Sequence, residues 1–395
     1  MMSDKYVLAS GDESVNVGIA AAPGASKLFH SDGSRHVKIT ELRTLPLSLP
    51  LEKPIGNATA TIHSFSCLAI FLDTDEGVTG ENLIFTIRPE QLPLLDSMVK
   101  LLREAVIGRE PDETEAFWAE AWRRINFIGF AGVSIMGIAA IDGAMWDLRG
   151  RAAGLCISKL VGRARDAVPA YASGGLWLTQ SVSELVAEAE AFLDRGFTAM
   201  KLRLAGRAEI DLPRLKALRE AVGGKVALMV DANQGMTAKD AIALGREMEA
   251  FDIAWFEEPL PAHDLEHLAE VRVALQTPIA SGENEYTRYG FRRMIEAKAA
   301  DILMPDLQRV GGVSEFLKVG ALAAAHDLPV SSHLFPEMSL QIMGSLPNAT
   351  LLEHLEWFSP LYQEPMEFKD GMALVPDRPG WGFTFDQKAL EHHKI

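Results

Sequence analysis

Three stretches decide how this chain folds: VALMVDAN at residues 226–233, IAWFEEP at 253–259 and PIASGEN at 278–284. Each is a short apolar, β-rich run that ends in a carboxylate, and Asp231, Glu257 and Glu283 stand 26 residues apart. That interval holds one strand, one helix and their connections, the repeat of a parallel α/β architecture. Working outward, similar runs occur at Val168–Ser173, Thr198–Leu204, Asp301–Asp306, Leu328–His333 and Leu351–Glu356. Helical stretches lie between them. In one, 182–195, Leu185, Ala189, Phe192 and Leu193 share a face, Ser181 and Glu184 form a capping box and Gly196 is the stop. Eight strands alternating with seven helices is the pattern of a closed (β/α) barrel. An open doubly wound sheet competes, but no G-x-G-x-x-G follows the first strand.

The barrel strands carry charge where apolar residues are expected. In TAMKLRL (198–204), Met200, Leu202 and Leu204 share one side, which meets the helices, so Lys201 and Arg203 point into the barrel. Two buried cations require anions. The three carboxylates ending the next three strands supply them. Like charges at one level raise each other's pKa unless a cation joins them, and an all-oxygen set suits a hard divalent ion, Mg²⁺ best. Strand six ends in Asp306, strand seven in His333 and strand eight in Glu353. A carboxylate on one imidazole nitrogen fixes the tautomer and raises the basicity of the other, so Asp306 and His333 read as an acid/base dyad. A single carboxylate at a strand end is most often a helix cap or a solvated loop charge. Glu258 is given that reading, and Gly311-Gly312 is read as a tight turn rather than a phosphate cradle. Matching polar groups on seven consecutive strands are not explained that way.

The chain has 395 residues, 48% of them hydrophobic and 23% charged, so it can bury a large core. A net charge of −16 argues against nucleic-acid and anionic-membrane partners. Two cysteines, Cys67 and Cys156, cannot build a disulfide framework, and no run approaches the ~18 apolar residues of a membrane span. With no basic-then-apolar leader, a cytoplasmic location is expected. Residues 1–35, rich in Gly, Ala and Ser, read as an extension that contacts a partner subunit. Residues 36–164 read as an α+β module, with strands at Val37–Thr44 and Ser66–Asp73 and a turn at Thr74–Gly77, then helices over 91–160. The barrel is expected over 165–358. Residues 359–395, rich in Pro and Gly, are expected to return to the first module.

Taken together, K-x-R, D-x-N, F-E-E-P, S-G-E-N, M-P-D and S-S-H-L-F-P-E resemble the mandelate racemase subgroup of the enolase superfamily. So do AIDGAMWDLRG (140–150) and PDRPGWG (376–382). The resemblance spans roughly residues 36–395. It implies a modified (β/α)7β TIM barrel with an α+β capping domain, and Mg²⁺ held by Asp231, Glu257 and Glu283. Asp306–His333 would then serve one face of the substrate, with Lys201 and Arg203 on the other. Glu353 would hydrogen-bond the substrate carboxylate, Ser173 and Asn233 would contact substrate, and capping loops at 49–61 and 81–86 would select it. It also implies a homo-oligomer acting on a small-molecule carboxylate.

One position departs from the family pattern, which is K-x-K with the second lysine as a base. Arg203 stays protonated at neutral pH, so two-base racemisation is disfavoured. The expected reaction is loss of the proton α to a carboxylate through an enediolate, the solution associated with this superfamily. Departure of a β-hydroxyl would follow, making the enzyme a sugar-acid or hydroxy-diacid dehydratase. His333 is the expected base, acid or both. Lys201 is the alternative base, its pKa lowered by Arg203. A racemase, epimerase or cycloisomerase using the same intermediate is the second expectation, and a metal-binding barrel without turnover the third.

Overall fold

A computed structural model describes residues 37–56, 58–59 and 61–395. The expected N-terminal extension lies outside the described residues. Val37–Ile395 forms one compact unit.

The chain first builds a three-stranded antiparallel sheet from β1 (Ile39–Gly56), β2 (Thr61–Thr74) and β3 (Thr79–Thr86). β1 runs well past the expected end at Thr44. Pro46, Pro50 and Pro54 hide its alternation, and the register with β2 shifts between Pro50 and Ile55. The helix Val133–Ala153 lies on this sheet and is buried along most of its length. Apolar residues surround it because it is covered by the sheet on one side and by barrel elements on the other.

The barrel follows: β4 (Ala167–Ala172), β5 (Ala199–Arg203), β6 (Ala227–Asp231), β7 (Ile253–Glu257), β8 (Ile279–Ser281), β9 (Ile302–Leu303) and β10 (Leu352–His354). β4 to β9 pair in sequence, all parallel, and β10 returns to β4. The expected strand at 328–333 is not continuous. Val330 bridges Leu303 and Ala349, and His333 bridges Asp306, with no longer ladder. A run reading VSSHLF turns inward here, and Leu334 and Phe335 adopt positive φ. Seven helices alternate with the strands: Val182–Asp194, Ala208–Val222, Ala238–Met248, Leu265–Ala274, Thr287–Glu296, Val313–Ala324 and Pro336–Met343. The capping box at Ser181 and Glu184 is present on both sides.

Past β10, β11 (Phe368–Lys369) and β12 (Met372–Leu374) form a hairpin that pairs with β4. The chain then crosses to the three-stranded sheet. Trp381 donates its backbone N–H to Asp147 Oδ1 (2.8 Å) and its indole N–H to the Glu81 carbonyl (3.0 Å). Gln308 and Phe85 exchange two hydrogen bonds (2.7 and 3.1 Å), clamping the end of β3 to the short helix Leu307–Val310 after β9. Gly311 and Gly312 make a tight turn, at φ +108° and +89°. A Cβ on Gly312 would sit 2.4 Å from Asp142 Oδ2. Cys67 and Cys156 are both free and buried. Among the described residues, no helix is long and apolar enough to cross a membrane.

Asp142 sits at this junction, accepting hydrogen bonds from the Ser314 backbone (3.1 Å) and hydroxyl (2.5 Å). Burial pushes its carboxyl up to about 7. The unfolded chain gives up this proton near pH 4, well before the folded one does, so stability falls as pH rises through that window. The difference amounts to up to about 4 kcal/mol. Asp142→Asn is expected to reduce the fall in Tm between pH 5 and pH 8 under chelating conditions. A variant profile parallel to the wild type would show that this carboxyl titrates normally.

Candidate active site

The parallel register sets the site. Arg203 pairs with Asp231, and Asp231 with Glu257, so the C-terminal ends of β5, β6 and β7 stand level. Glu283 follows the end of β8 by two residues. Gly282, at φ +130°, bends the chain there, and a Cβ on it would sit 2.7 Å from the Phe291 ring. One oxygen from each of Asp231, Glu257 and Glu283 lies within 4.8 Å of the others. Asp231 and Glu257 are fully buried, and Glu283 is 12% exposed.

This trio is crowded by its own charge. Burial, with Asp231, Glu353 and Glu283 nearby, lifts Glu257 up to about 8 despite the adjacent Lys201. A donor set made only of carboxylates, short of positive charge and at metal-binding spacing, fits a hard divalent cation. Other contacts fix the carboxylates in place. Trp255, in the barrel floor with Tyr171, Met229 and Met304, donates its indole N–H to Glu257 Oε2 (2.9 Å). Asn233 donates its backbone N–H to Asp231 Oδ1 (2.8 Å) and its amide to Oδ2 (3.2 Å). Asn233, expected to contact substrate, orients Asp231 through these bonds, and its own Oδ1 is buried without a partner.

Lys201 and Arg203 do point into the barrel, and both are buried. Lys201 Nζ lies 2.5 Å from Glu257, 2.9 Å from Glu353 Oε1 and 3.5 Å from Asp231. Burial works against its charge, but Glu257 and Glu353 outweigh both burial and Arg203, and its pKa is raised. Arg203 does pull it down, as expected, but the net shift is upward because carboxylates outnumber the one neighbouring cation.

At the far end of the row, His333 Nδ1 meets Asp306 Oδ2 (2.8 Å) and Nε2 meets Glu283 Oε2 (3.1 Å). Burial disfavours the imidazolium, but Glu283, Glu353 and Asp306 prevail and raise its pKa. Asp306 is held in turn by the Arg309 backbone N–H on its Oδ1 (2.8 Å).

Glu353 closes the ring between the two ends. Its Oε1 accepts from the Ser173 hydroxyl (2.6 Å) and Lys201, and its Oε2 from the Leu334 backbone (2.6 Å). Although burial opposes its charge, Lys201, His333 and Arg203 hold its pKa below the usual range. Glu353 was expected to hydrogen-bond a substrate carboxylate. Its two oxygens are engaged here by Ser173, Lys201 and Leu334, contacts that also orient Lys201 and Ser173. Ser173 also accepts from Arg203 Nη2 (3.1 Å).

Three participants escaped the sequence reading. Glu258, taken as a bland surface charge, is buried, and burial with Glu283 and Asp231 nearby raises its pKa well above normal. It turns away from Glu257 at φ +35° and accepts from Asn284 Nδ2 (2.8 Å). Arg309 donates to the Glu283 carbonyl (3.0 Å). Trp177 lies over the Arg203 guanidinium at 4.8 Å. The recurring asparagine after D-x and E in this sequence was the available signal for Asn233 and Asn284. Nothing in the local pattern marks Trp177 or Arg309.

Comparison with known proteins agrees with this architecture. Residues 39–162 match the mandelate racemase / muconate lactonizing enzyme N-terminal domain, and residues 184–389 match the enolase C-terminal domain-like family. L-talarate/galactarate dehydratase of Salmonella typhimurium strain LT2 is 36% identical over 73% of this chain and 73% of its own length. The 3,6-anhydro-alpha-L-galactonate cycloisomerase of Streptomyces coelicolor is 33% identical over 89% of this chain and 98% of its own. The crystal structure of L-talarate dehydratase from Polaromonas sp. JS666, complexed with Mg and L-glucarate, superposes with a TM-score of 0.86. It is 33% identical and covers 91% of this chain and 98% of that one. The chain belongs to the mandelate racemase / muconate lactonizing enzyme family of the enolase superfamily.

The crowded trio makes a direct prediction. Protein stripped with chelator is expected to gain Tm on addition of Mg²⁺, by the equivalent of about 2.7 kcal/mol at a hundredfold excess over Kd. Glu257→Gln removes one donor and one repelling charge, and is expected to fold while losing that gain. An equal gain in the variant would show that the ion binds elsewhere.

Proposed function

We propose that this family member is a Mg²⁺-dependent lyase that dehydrates a sugar acid or hydroxy-diacid. The observation that carries the reading is the His333–Asp306 dyad, with Nε2 directed at the edge of the carboxylate trio. The trio Asp231, Glu257 and Glu283 would hold the ion, which when bound neutralises the charge that collects on the substrate carboxylate as the α-proton leaves.

The chain's own residues divide the remaining work. His333 takes the α-proton on Nε2, and Asp306 stabilises the resulting imidazolium through Nδ1. Lys201, held as an ammonium by Glu257 and Glu353, has no lone pair with which to take a proton. It supports negative charge as a fixed cation. His333 then returns its proton to the β-hydroxyl as the Cβ–O bond breaks, water leaves, and the enol becomes an α-keto acid. One residue making both transfers implies syn elimination.

The named relatives support this reading, since two act as dehydratases of sugar diacids by name. A cycloisomerase is the second reading, favoured by a relative matched over 98% of its length. It begins with the same proton removal and differs in the group displaced.

A screen of mono- and diacid sugars with Mg²⁺ tests the class. NMR of the product separates water loss from ring opening or closure. With the active acid, His333→Asn is expected to lower kcat by about 10³-fold and to abolish exchange of the α-hydrogen with solvent deuterium. Dehydration near the wild-type rate in this variant would reject the dyad.

A further inference from the structure

Arg203 is held in an unusual way for a buried arginine. Nη2 donates to Ser173, but Nε and Nη1 are buried with no hydrogen-bond acceptor. Nη1 lies 3.5 Å from Asp231 Oδ2, too far for a good hydrogen bond. That oxygen already receives Asn233 and lies 3.5 Å from Lys201. Arg214, which braces a loop, leaves only Nε without an acceptor and bonds through both Nη atoms. In Arg219, Nε, Nη1 and Nη2 all donate to backbone carbonyls. Unsatisfied buried donors are costly, and persist where something else completes them.

The guanidinium is positioned by a flat surface. It stacks over Trp177 at 4.8 Å. Trp177 lies nearly parallel to Trp357 (6.1 Å, 21°), and Trp357 to Phe65 (4.1 Å, 23°). The stack joins three parts of the fold: the loop after β4, the loop after β10, and β2 of the capping sheet. The Trp177 loop is itself fixed. Trp177 N–H donates to Gln180 (2.7 Å), its carbonyl accepts from Arg214 (2.9 Å), and Leu176 N–H donates to Glu188 (2.6 Å).

We propose that Trp177 is a positioning residue for the reaction: backed by Trp357 and Phe65, it holds the Arg203 guanidinium flat so that Nε and Nη1 meet an oxygen of the substrate. An arginine suits this place because its planar cation stacks on an indole face and donates from its edge, whereas an ammonium offers no plane. Arg203 is then a binding group that has replaced a base. Specificity for substrate oxygens on this face depends on an aromatic wall shared by the cap and the barrel. The inference rests on the reading of the site as acting on sugar acids.

The test compares Trp177→Ala, Trp177→Phe and Arg203→Lys with the wild type on the acid that the wild type converts, whether water leaves or a ring closes. Kinetics are paired with Tm and with the Mg²⁺-dependent Tm gain. Trp177→Ala is expected to raise KM about 10- to 30-fold with kcat within about threefold, and to leave the Mg²⁺ response intact. Trp177→Phe keeps a ring face and is expected to recover most of the loss. Arg203→Lys is expected to behave like Trp177→Ala, because it keeps the charge but loses the planar edge. The proposal is overturned if Trp177→Ala matches the wild type in KM, or if Trp177→Phe is as impaired as Trp177→Ala. The wild-type screen alone decides the sugar-acid reading. An active wild type with an unchanged Trp177→Ala would reject only the positioning role.

Discussion

Four carboxylates and two cations share the mouth of one barrel, and most of the structure is arranged around that burial. Lys201 and Arg203 pair with Asp231, Glu257 and Glu353, and Glu283 stands at the end of the row beside His333 and Arg309. Isolated charges here would be prohibitive, and pairing of this kind seldom repays its full desolvation cost. The four carboxylates and two cations carry a formal excess of two negative charges, and adding Asp306 and Arg309 leaves that gap unchanged. A divalent cation closes that gap, and a substrate carboxylate then finds a site neither strongly repelling nor already satisfied. The acidity of the whole chain, −16, says nothing of this local balance.

Holding like charges at hydrogen-bond distances requires a rigid frame. Parallel pairing fixes Arg203, Asp231 and Glu257 at one level, and indole and amide donors from Trp255, Asn233 and Asn284 take up carboxylate lone pairs. The cap contributes at a distance. The Gln308–Phe85 exchange holds the short helix that begins after Asp306, and Asp142 anchors the helix that follows. Movement of the capping sheet would therefore be felt at the dyad through two or three covalent residues, without a long chain of contacts.

Much of this was legible because strand alternation is strict. The parity of Lys201 and Arg203, and the 26-residue spacing of three carboxylates, give both the barrel and the inward charge from one pattern. What escaped depends on other rules. Positive φ at Glu258 breaks the alternation, so a residue of the wrong parity is buried nonetheless. Continuous strand character over 328–333 was overestimated because Leu328 and Val330 carry the β-rich signal while Pro329 has no N–H to give a ladder, and only isolated bridges form at Val330 and His333. Stacking of Trp177, Trp357 and Phe65 joins residues up to 292 positions apart, which no local periodicity reports. Glu353 was placed correctly at a strand end, but its protonation depends on Lys201 and Arg203 of β5 and on His333 and Ser173 in the connections.

The exchange of lysine for arginine at position 203 gives the site two unlike faces. In the proposed reaction, Lys201 and Arg203 hold fixed positive charge on one face, with no base among them. On the other, His333 and Asp306 can move a proton. A site with bases on both faces can remove and return hydrogen from either side of a carbon, and so inverts configuration. With proton transfer confined to one face, the α-hydrogen must point at His333, and only one configuration at that carbon is productive. The β-carbon is less constrained, because rotation about the Cα–Cβ bond can bring its hydroxyl to the same imidazole before the bond breaks. Selection at Cβ and beyond then falls to groups that bind oxygens without transferring protons. Arg203, with two unfilled nitrogens against a tryptophan face, has that capacity.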